Sequence, residues 1–283
     1  MPTRRRYAAD ANHRYAATSG CNIVSYVGHN IPVLVPSGHV SPSLVALPNM
    51  PKTLFSFVLY NVPFVRRLLE AILYRLQLTL LRFYEDDATY ALIRSVYRER
   101  RILLQPFEAR LIYQLALMRS QSPGAMAEVG VAGGGTAKLI CAAKSDKEFF
   151  GFDTFSGFHA VQEADRHWGA RFLKERQFAV DEQSVRKYLS AFSNVHLLRG
   201  VFPGSAKDLP ETTFGFVHLD ADLYATTLQG LRHFWPRMAP GGVIIIHDSH
   251  AEGVRRAITE FVEQHSIRSC FKAVCSQFVI LKS

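Results

Sequence analysis

Acidic residues follow two apolar runs in the sequence, where a buried strand would end. The run FVHLDADLYATT contains Asp220 and Asp222, and the run GGVIIIHDSH contains His247 and Asp248. An unpaired charge is costly to bury, so a strand in the core should not end in acids without a reason. These side chains are therefore candidates for holding a metal ion, a cofactor or a transferred proton, or for shaping a loop.

Two adjacent strand ends can supply the ligands of a divalent metal. Because ligands of open α/β sheets gather at the carboxyl ends of the strands, we expect Asp220, His247 and Asp248 to converge there. Carboxylate oxygens suit Mg²⁺, and a histidine also admits Mn²⁺, Fe²⁺ or Zn²⁺. Taken alone, His247 is more often a core residue or a base. Asp222 either caps a helix that begins around Thr226 or supports the site.

A glycine-rich turn stands between an expected strand and an expected helix. The segment AEVGVAGGGT contains Gly130, Gly133, Gly134 and Thr136. Glycines let a ligand approach the backbone closely, and the helix N-terminus offers free N–H groups. The nicotinamide fingerprint is not met and a Walker lysine is missing, which favours a nucleoside-type ligand without a pyrophosphate. A plain tight turn is the alternative, although Glu128 inside the strand favours a ligand.

The next expected strand also ends in an acid, within the segment FGFDTFSG. Asp153 stands about twenty residues after the glycines, where nucleotide-binding sheets place the acid that binds a ribose. A carboxylate accepts hydrogen bonds from two neighbouring hydroxyls, so we expect Asp153 to bind the ribose of the ligand. Its alternative role is an Asx-turn or a helix cap.

The elements that position these residues are short apolar runs that alternate with helical stretches after the breaker SQSPG. Helical stretches are expected between the first five runs, which predicts a mainly parallel sheet with helices on both faces. The last two runs follow each other directly and predict an antiparallel pair. The seven candidate strands are Ala127–Val131, Glu148–Phe152, Val195–Arg199, Phe214–Leu219, Gly242–His247, Cys270–Cys275 and Gln277–Lys282.

Three regions are expected: an irregular arm over residues 1–50, a helical extension over 51–120 and the catalytic domain over 121–283. Residues 53–84 are strongly apolar but contain arginines, and no uninterrupted run is long enough to span a membrane. We favour an amphipathic helix that packs on the catalytic domain or on a second subunit. Peripheral contact with an anionic membrane is the alternative. Residues 85–120 are expected to continue as helix.

Composition and charge narrow the class of protein. Of the 283 residues, 48% are hydrophobic and 20% are charged, which is typical of a globular protein. The net charge of +9 is concentrated in residues 1–110, which contain 14 Lys and Arg against 7 Asp and Glu. No aromatic motif accompanies this charge, so we expect no nucleic-acid binding. Four scattered cysteines and no apparent signal peptide predict a cytoplasmic protein with reduced thiols.

Four motifs, taken together, resemble the TylF-like macrocin O-methyltransferase family. In order they are EVGVAGGG, FDTFSGF, LDADLYATT and PGGVIIIHD, and the resemblance covers roughly residues 100–283. It implies a Rossmann-like class I methyltransferase of the α/β class that uses S-adenosylmethionine. The implied sheet has seven mostly parallel strands with an antiparallel last strand, and an N-terminal helical extension precedes it. Many members of the family methylate sugar hydroxyls of natural products.

The resemblance also implies roles for particular residues. Glu128, Gly130 and the glycines after it would surround the methionine part of the cofactor. Asp153 and Ser156 would lie on the ribose side. We also count Thr136, which opens the following helix, among the cofactor-binding residues.

The implied metal ligands depart from the family pattern at one position. Asp220 and Asp248 resemble ligands of a Mg²⁺ ion that would bind two substrate oxygens, and Asp220 would also act as the base. Family members studied as sugar methyltransferases have an Asp-Asp pair where this chain has His247 and Asp248. His247 therefore ligates in place of the carboxylate, serves as general base, or leaves a site that binds metal poorly.

Two competing interpretations concern the reaction itself. One is a metal-independent methyltransferase with His247 as the sole base, acting on a phenol or a carboxylate. The other is a non-catalytic scaffold that binds a partner through residues 1–100. The acceptor is expected to be a small molecule recognised by Phe158–Asp181 and the N-terminal region. The family resemblance and the apolar segment 53–84 predict a homo-oligomer.

Overall fold

The computed structural model describes residues 21–24, 33–36, 63–100, 102–158, 165 and 176–283. The chain divides into two compact units, Met1–Ala46 and Leu47–Ser283. In the first unit, strands β1 (Cys21–Val24) and β2 (Val33–Pro36) pair in antiparallel fashion. The rest of the arm predicted for residues 1–50 lies outside the described residues.

Three helices precede the central sheet. They are α1 (Pro63–Tyr84), α2 (Asp87–Glu99) and α3 (Pro106–Arg119). The chain leaves the helical conformation between α2 and α3, so the prediction of continuous helix over residues 85–120 is wrong. Asp86 caps α2 by accepting the Thr89 N–H at 2.9 Å. Pro106 starts α3 at a position where its missing N–H costs nothing.

Seven strands of the second unit form one sheet in the order β5-β4-β3-β6-β7-β9-β8. Neighbours among β3 to β7 are parallel, whereas β9 lies between β7 and β8 and runs antiparallel to both. The prediction of seven mostly parallel strands with an antiparallel last strand is confirmed. The strands are β3 (Ala125–Val129), β4 (Phe149–Asp153), β5 (Val195–Arg199), β6 (Phe214–Leu219), β7 (Met238–Ile246), β8 (Cys270–Lys272) and β9 (Phe278–Leu281).

Helices cover both faces of the sheet, as predicted. Helix α3 shares one face with α4 and α5, and α6 and α7 cover the other. One connection differs from the prediction, because a 3-10 turn at Gly204–Ala206 joins β5 to β6 where an α-helical stretch was expected. The helices that follow β3 are α4 (Gly135–Ala143), α5 (Glu182–Leu189), α6 (Tyr224–Phe234) and α7 (Glu252–Gln264).

Alternating side chains of β3 enter two different cores. Ala127 and Val129 pack with residues of α6 and α7, whereas Met126 packs with residues of α3, α4 and α5. A third cluster joins the first four helices through Leu81, Ile93, Val96, Ala109 and Leu139. The helices predicted as an extension therefore share buried contacts with α4 and belong to the same unit as the sheet.

Helix α1 has one apolar face that the described part of the chain leaves uncovered. Leu68, Ile72 and Leu76, spaced four residues apart, are each about half exposed, whereas Leu81 is buried. Arg75 and Arg82 are exposed on the same helix. Within the described part of the chain, every helix is too short or too polar to cross a membrane.

Candidate active site

A cavity of about 860 Å³ opens where the central parallel strands end. Carboxyl ends of strands are the usual ligand sites of α/β sheets. The predicted site residues on its wall are Gly130, Gly133, Thr136, Asp153, Asp220, His247 and Asp248. The other three predicted cofactor residues, Glu128, Gly134 and Ser156, are not part of the wall.

The glycine turn passes directly over the end of β6. Gly130 has a φ of +92°, and a Cβ added there would lie 1.9 Å from the backbone oxygen of Asp220. Only glycine fits this close approach. Gly134 has a φ of +83°, and its Cβ position faces Val185 and Tyr188 of α5, away from the cavity wall. Gly130 thus brings the turn to the strand end, while Gly134 allows α4 to begin.

Glu128 lies in the core behind the glycine turn. It is fully buried, and its Oε1 lies 2.8 Å from Nδ1 of His218 on the neighbouring strand β6. Burial raises the pKa of Glu128, and the hydrogen bond and charge of His218 oppose that shift without cancelling it. Any role toward the methionine part of a cofactor would therefore be indirect.

Asp153 ends β4 on the cavity wall and uses both carboxylate oxygens. Oδ2 accepts the Ala132 N–H of the glycine turn, and Oδ1 accepts the Phe155 N–H, each at 2.7 Å. The second contact is an Asx-turn, so this alternative considered from the sequence is confirmed. Each carboxylate oxygen has two lone pairs, so acceptor capacity remains for a ligand. Ser156 lies in the turn that follows, where its N–H donates to Thr154 Oγ1 at 3.2 Å.

Asp220, His247 and Asp248 meet at the ends of β6 and β7. His247 Nδ1 lies 3.0 Å from Asp220 Oδ1 and 3.1 Å from Asp248 Oδ2. One ligand atom from each of the three residues lies within 4.8 Å of the others. The structure thus brings together the three residues predicted as metal ligands.

These groups shift one another's protonation. Burial lowers the pKa of His247, but the charges of Asp220 and Asp248 outweigh burial and raise it well above its usual value. Burial raises the pKa of Asp248, yet the charge of His247 holds it well below its usual range. The pKa of Asp222 is raised well above its usual value, first by burial and then by Asp248 and Asp220.

Asp222 belongs to this acidic cluster. Helix α6 begins at Tyr224, whose N–H donates to Oδ1 of Asp165 at 2.7 Å. The interpretation of Asp222 as the cap of this helix is therefore wrong, because Asp165 accepts the first N–H and the helix starts before Thr226. Asp222 and Asp248 both adopt left-handed backbone conformations, with φ of +59° and +53°. Such strained positions are common at functional sites.

Sequence reasoning missed Glu108, a buried residue of α3 behind His247. Its Oε2 accepts the Gln105 N–H at 2.8 Å and lies 3.5 Å from His247 Nε2. Its Oε1 accepts the N–H and the hydroxyl of Ser276 at 2.8 and 2.6 Å. Burial raises the pKa of Glu108, but the hydrogen bond and charge of His247 and the donors from Ser276 and Gln105 lower it overall. In the sequence, Glu108 belongs to the segment QPFE, which is typical of a helix start and does not indicate a contact with His247.

The cluster has the chemistry of a divalent metal site. Nδ1 of His247 is buried and has no aligned hydrogen-bond partner, although two carboxylates lie within 3.1 Å of it. A cation held by Asp220, His247 and Asp248 would take the lone pair of Nδ1 and offset the repulsion between the carboxylates. Two carboxylates with an imidazole suit Mn²⁺, Fe²⁺ or Zn²⁺ as well as Mg²⁺.

Comparison with known proteins relates the chain to natural-product O-methyltransferases. Mycinamicin III 3''-O-methyltransferase of Micromonospora griseorubida is 29% identical over 164 residues, which cover 53% of this chain and 65% of that protein. The 8-demethyl-8-(2,3-dimethoxy-alpha-L-rhamnosyl)-tetracenomycin-C 4'-O-methyltransferase of Streptomyces olivaceus is 28% identical over 158 residues, which cover 51% and 60% of the two chains. The chain thus matches less than two thirds of the length of these relatives.

Solved structures show the same fold. The O-methyltransferase NovP matches with a TM-score of 0.59 at 21% identity, over 76% of this chain and 99% of that chain. The calicheamicin methyltransferase CalS11 matches with a TM-score of 0.56 at 19% identity, over 74% and 91%. The predicted Rossmann-like class I methyltransferase fold is confirmed. Residues 112–282 match the sequence family described as Macrocin-O-methyltransferase (TylF). Since this match covers more than half of the chain, the chain belongs to the TylF macrocin-O-methyltransferase family.

Proposed function

We propose that this protein is an S-adenosylmethionine-dependent O-methyltransferase that methylates a hydroxyl of a sugar or another natural product. One observation carries the proposal. A single cavity joins the glycine turn and Asp153 to the cluster of Asp220, His247 and Asp248. A nucleoside-bearing cofactor and a hydroxyl-bearing acceptor can therefore bind side by side. The names of the two relatives support a sugar hydroxyl as the acceptor group.

The glycine turn and β4 form the cofactor side of the cavity. S-adenosylmethionine supplies a methyl group that is already activated, so the protein mainly has to align the acceptor oxygen with it. Asp153, which is itself held by two backbone N–H groups, would accept hydrogen bonds from the ribose hydroxyls of the cofactor. The turn at Gly130 and Gly133 and the start of α4 at Thr136 border the same space.

Asp220 is the group best placed to accept the proton of the acceptor hydroxyl. Both ring nitrogens of His247 already face carboxylates, Nδ1 toward Asp220 and Asp248 and Nε2 toward Glu108. The side chain of Asp220 is 18% exposed against 8% for His247. Held by Asp220, His247 and Asp248, a divalent metal such as Mg²⁺ would lower the pKa of the hydroxyl.

Part of the cavity wall is apolar. Phe158 and Phe178 line it and pack edge to face, with ring centroids 5.5 Å apart. Leu103 and Val201 also line it. These side chains offer an apolar surface to a ring-shaped part of a bound ligand.

Titration calorimetry with S-adenosylmethionine tests the cofactor, and transfer of labelled methyl groups to glycosylated polyketides tests the reaction. We expect cofactor binding, methylation of a sugar hydroxyl, loss of activity in EDTA and recovery with Mg²⁺. Full activity in EDTA would favour the metal-independent alternative. Absence of cofactor binding would favour the scaffold and contradict the proposal.

We also propose that the protein is a homo-oligomer, supported by the uncovered face of α1 at Leu68, Ile72 and Leu76. Peripheral contact of this helix with an anionic membrane is the less favoured alternative. A cytoplasmic location remains a proposal that rests on the free thiols of Cys141, Cys270 and Cys275.

A further inference from the structure

We propose that Glu108 is a positioning residue that fixes the ring of His247, so that Nδ1 is the atom offered to a metal ion beside Asp220 and Asp248. The inference rests on the proposed function and deepens it at the metal site. It explains how an imidazole can take part in a set of carboxylate ligands. The hydrogen bond from Nε2–H to Glu108 keeps the proton on that nitrogen, so that a metal ion displaces the proton of Nδ1.

Glu108 is held more firmly than the contact with His247 alone would require. Its Oε1 accepts two hydrogen bonds from Ser276, and its Oε2 accepts one from the Gln105 N–H. The residue is 2% exposed. Three hydrogen-bond donors from two parts of the chain therefore hold the Glu108 carboxylate in place independently of His247. A group held in this way can orient its neighbour.

The contact at His247 determines which ring nitrogen faces the cluster. Nε2 lies 3.5 Å from Glu108 Oε2, on one side of the ring, and Nδ1 lies within 3.1 Å of two carboxylates on the other. A carboxylate that accepts the Nε2–H of a ligating histidine fixes its tautomer and makes the other nitrogen a better ligand. Nδ1 lacks an aligned hydrogen-bond partner, which is the arrangement expected of a ligand atom.

Glu108 also comes from outside the segment that identifies the family. The family match begins at residue 112, whereas Glu108 lies in the first turn of α3. Helix α3 packs against α4 and the face of the sheet that includes Val243 and Ile245 of β7. The helices before the sheet thus contribute directly to the site at the end of β7.

Binding of Mn²⁺ to the purified protein tests the role of Glu108. We expect Glu108→Gln to weaken Mn²⁺ binding about 10- to 100-fold, because an amide N–H toward His247 favours the proton on Nδ1. The matched control is Ser276→Ala, which removes one hydrogen bond from the same carboxylate but keeps the contact with His247. We expect Mn²⁺ affinity to be unchanged in this control. Unchanged affinity in Glu108→Gln, or equal loss in both variants, would overturn the inference.

Pulsed electron paramagnetic resonance of bound Mn²⁺ tests the ligand atom. We expect nitrogen coupling in the unmodified protein and none in His247→Asp. Absence of nitrogen coupling in the unmodified protein would overturn the inference, as would absence of Mn²⁺ binding. Neither result would contradict S-adenosylmethionine binding or methyl transfer, which are tested separately, although absence of Mn²⁺ binding would favour the metal-independent alternative.

Thermal unfolding gives a readout that needs no metal. In the His247→Asp background, Glu108 faces a second carboxylate, and like charges at short range destabilise the fold. We therefore expect Glu108→Gln to lower Tm in the unmodified protein and to raise it in the His247→Asp variant. A shift of the same sign in both backgrounds would show that Glu108 acts only through α3 and would overturn the inference.

Discussion

At the scale of single residues, the side chains of the site differ in how far they are exposed to the cavity. His247 is enclosed by carboxylates on both sides of its ring, whereas Asp220 is more exposed to the cavity. A proton acceptor must reach the substrate hydroxyl, and a ligand must keep its lone pair directed at the metal. The geometry therefore suits Asp220 to accepting the proton of the substrate hydroxyl and His247 to holding the metal ion.

Replacing Asp220 with Asn should separate catalysis from cofactor binding. The amide cannot accept the hydroxyl proton and is a poor metal ligand, so we expect kcat to fall about a thousandfold. The dissociation constant of S-adenosylmethionine should be almost unchanged, since Asp153 and the glycine turn remain. Asp208→Asn, which removes an exposed acid outside this cavity, is the control for charge. Unchanged turnover in Asp220→Asn would contradict the assignment.

Replacing Gly130 tests the close approach of the glycine turn to the backbone of Asp220. An Ala side chain at φ +92° would meet the backbone oxygen of Asp220 at 1.9 Å. We expect Gly130→Ala to lower the free energy of unfolding by about 2 kcal/mol or more and to abolish cofactor binding. Gly204→Ala, which meets no atom within 4 Å, should change stability by less than about 0.5 kcal/mol. Equal effects of the two substitutions on urea denaturation would contradict this explanation.

At the scale of elements, the sheet and most of its helical connections were predictable, and two connections were not. Apolar runs identified all seven strands of the sheet, and the signal is strongest in the buried parallel strands β3, β4 and β6, which have few polar residues. The break between α2 and α3 was missed, although Pro106 marks the start of α3. The prediction of a helix between β5 and β6 was wrong, because a 3-10 turn at Gly204–Ala206 lies there.

The candidate site was predictable where a residue belongs to a strand end or to the glycine turn that follows β3. Asp153, Asp220 and His247 follow strands, so the parallel order of the sheet brings them together. Glu108 and Asp165 come from elsewhere and meet the site through contacts 139 and 59 residues apart in sequence. Such contacts depend on how helices pack on the sheet, which local patterns do not contain.

Packing of α6 onto the β5–β6 region includes a half-buried histidine that predicts a pH dependence. His233 packs against Phe202 and Phe234, and its Nε2 has no hydrogen-bond partner. Burial and then the charge of Arg237 lower its pKa to about 4. The unfolded chain, with a histidine pKa of about 6.5, therefore binds the proton more readily than the folded one. Its contribution to stability is complete above pH 6.5 and is lost as the pH falls toward 4.

Replacing His233 with Phe should remove this contribution while keeping an aromatic ring beside Phe202. Because the side chain is only half-buried, we expect a discounted effect of about 1 kcal/mol. The unmodified protein should lose about that much more unfolding free energy between pH 7 and pH 5 than His233→Phe. Urea denaturation at the two pH values measures the difference. Parallel losses in both proteins would show that His233 does not cause it.

At the scale of the whole molecule, α1 has one buried face and one that is uncovered. Leu81 packs against α2, α3 and α4, whereas Leu68, Ile72 and Leu76 are about half exposed. Phe83 continues this uncovered face and is 78% exposed. Contiguous exposed apolar surface usually marks a contact with another molecule. The spacing of Ile72, Leu76 and Phe83 suits a second helix, which supports a second copy of the chain.

Replacing Ile72 with Glu should therefore dissociate the oligomer. A charge in the middle of an apolar helix contact must be buried without a partner, which opposes association. Sedimentation velocity should show one dominant oligomer for the unmodified protein and a monomer for Ile72→Glu. The matched control is Leu117→Glu on α3, which changes an exposed leucine outside α1 and should leave the oligomer intact.

Variants of α1 also distinguish oligomer formation from membrane contact. If α1 lies on an anionic membrane, flotation with phosphatidylserine vesicles should depend on both Ile72 and Arg75, since surface helices combine apolar and basic contacts. A second copy requires the apolar face but not the charge. We therefore expect Arg75→Gln to leave the sedimentation of the oligomer unchanged and the unmodified protein to stay free of vesicles. The membrane proposal would replace the oligomer proposal under two conditions. The unmodified protein would be a monomer that floats with vesicles, and Arg75→Gln would abolish its flotation.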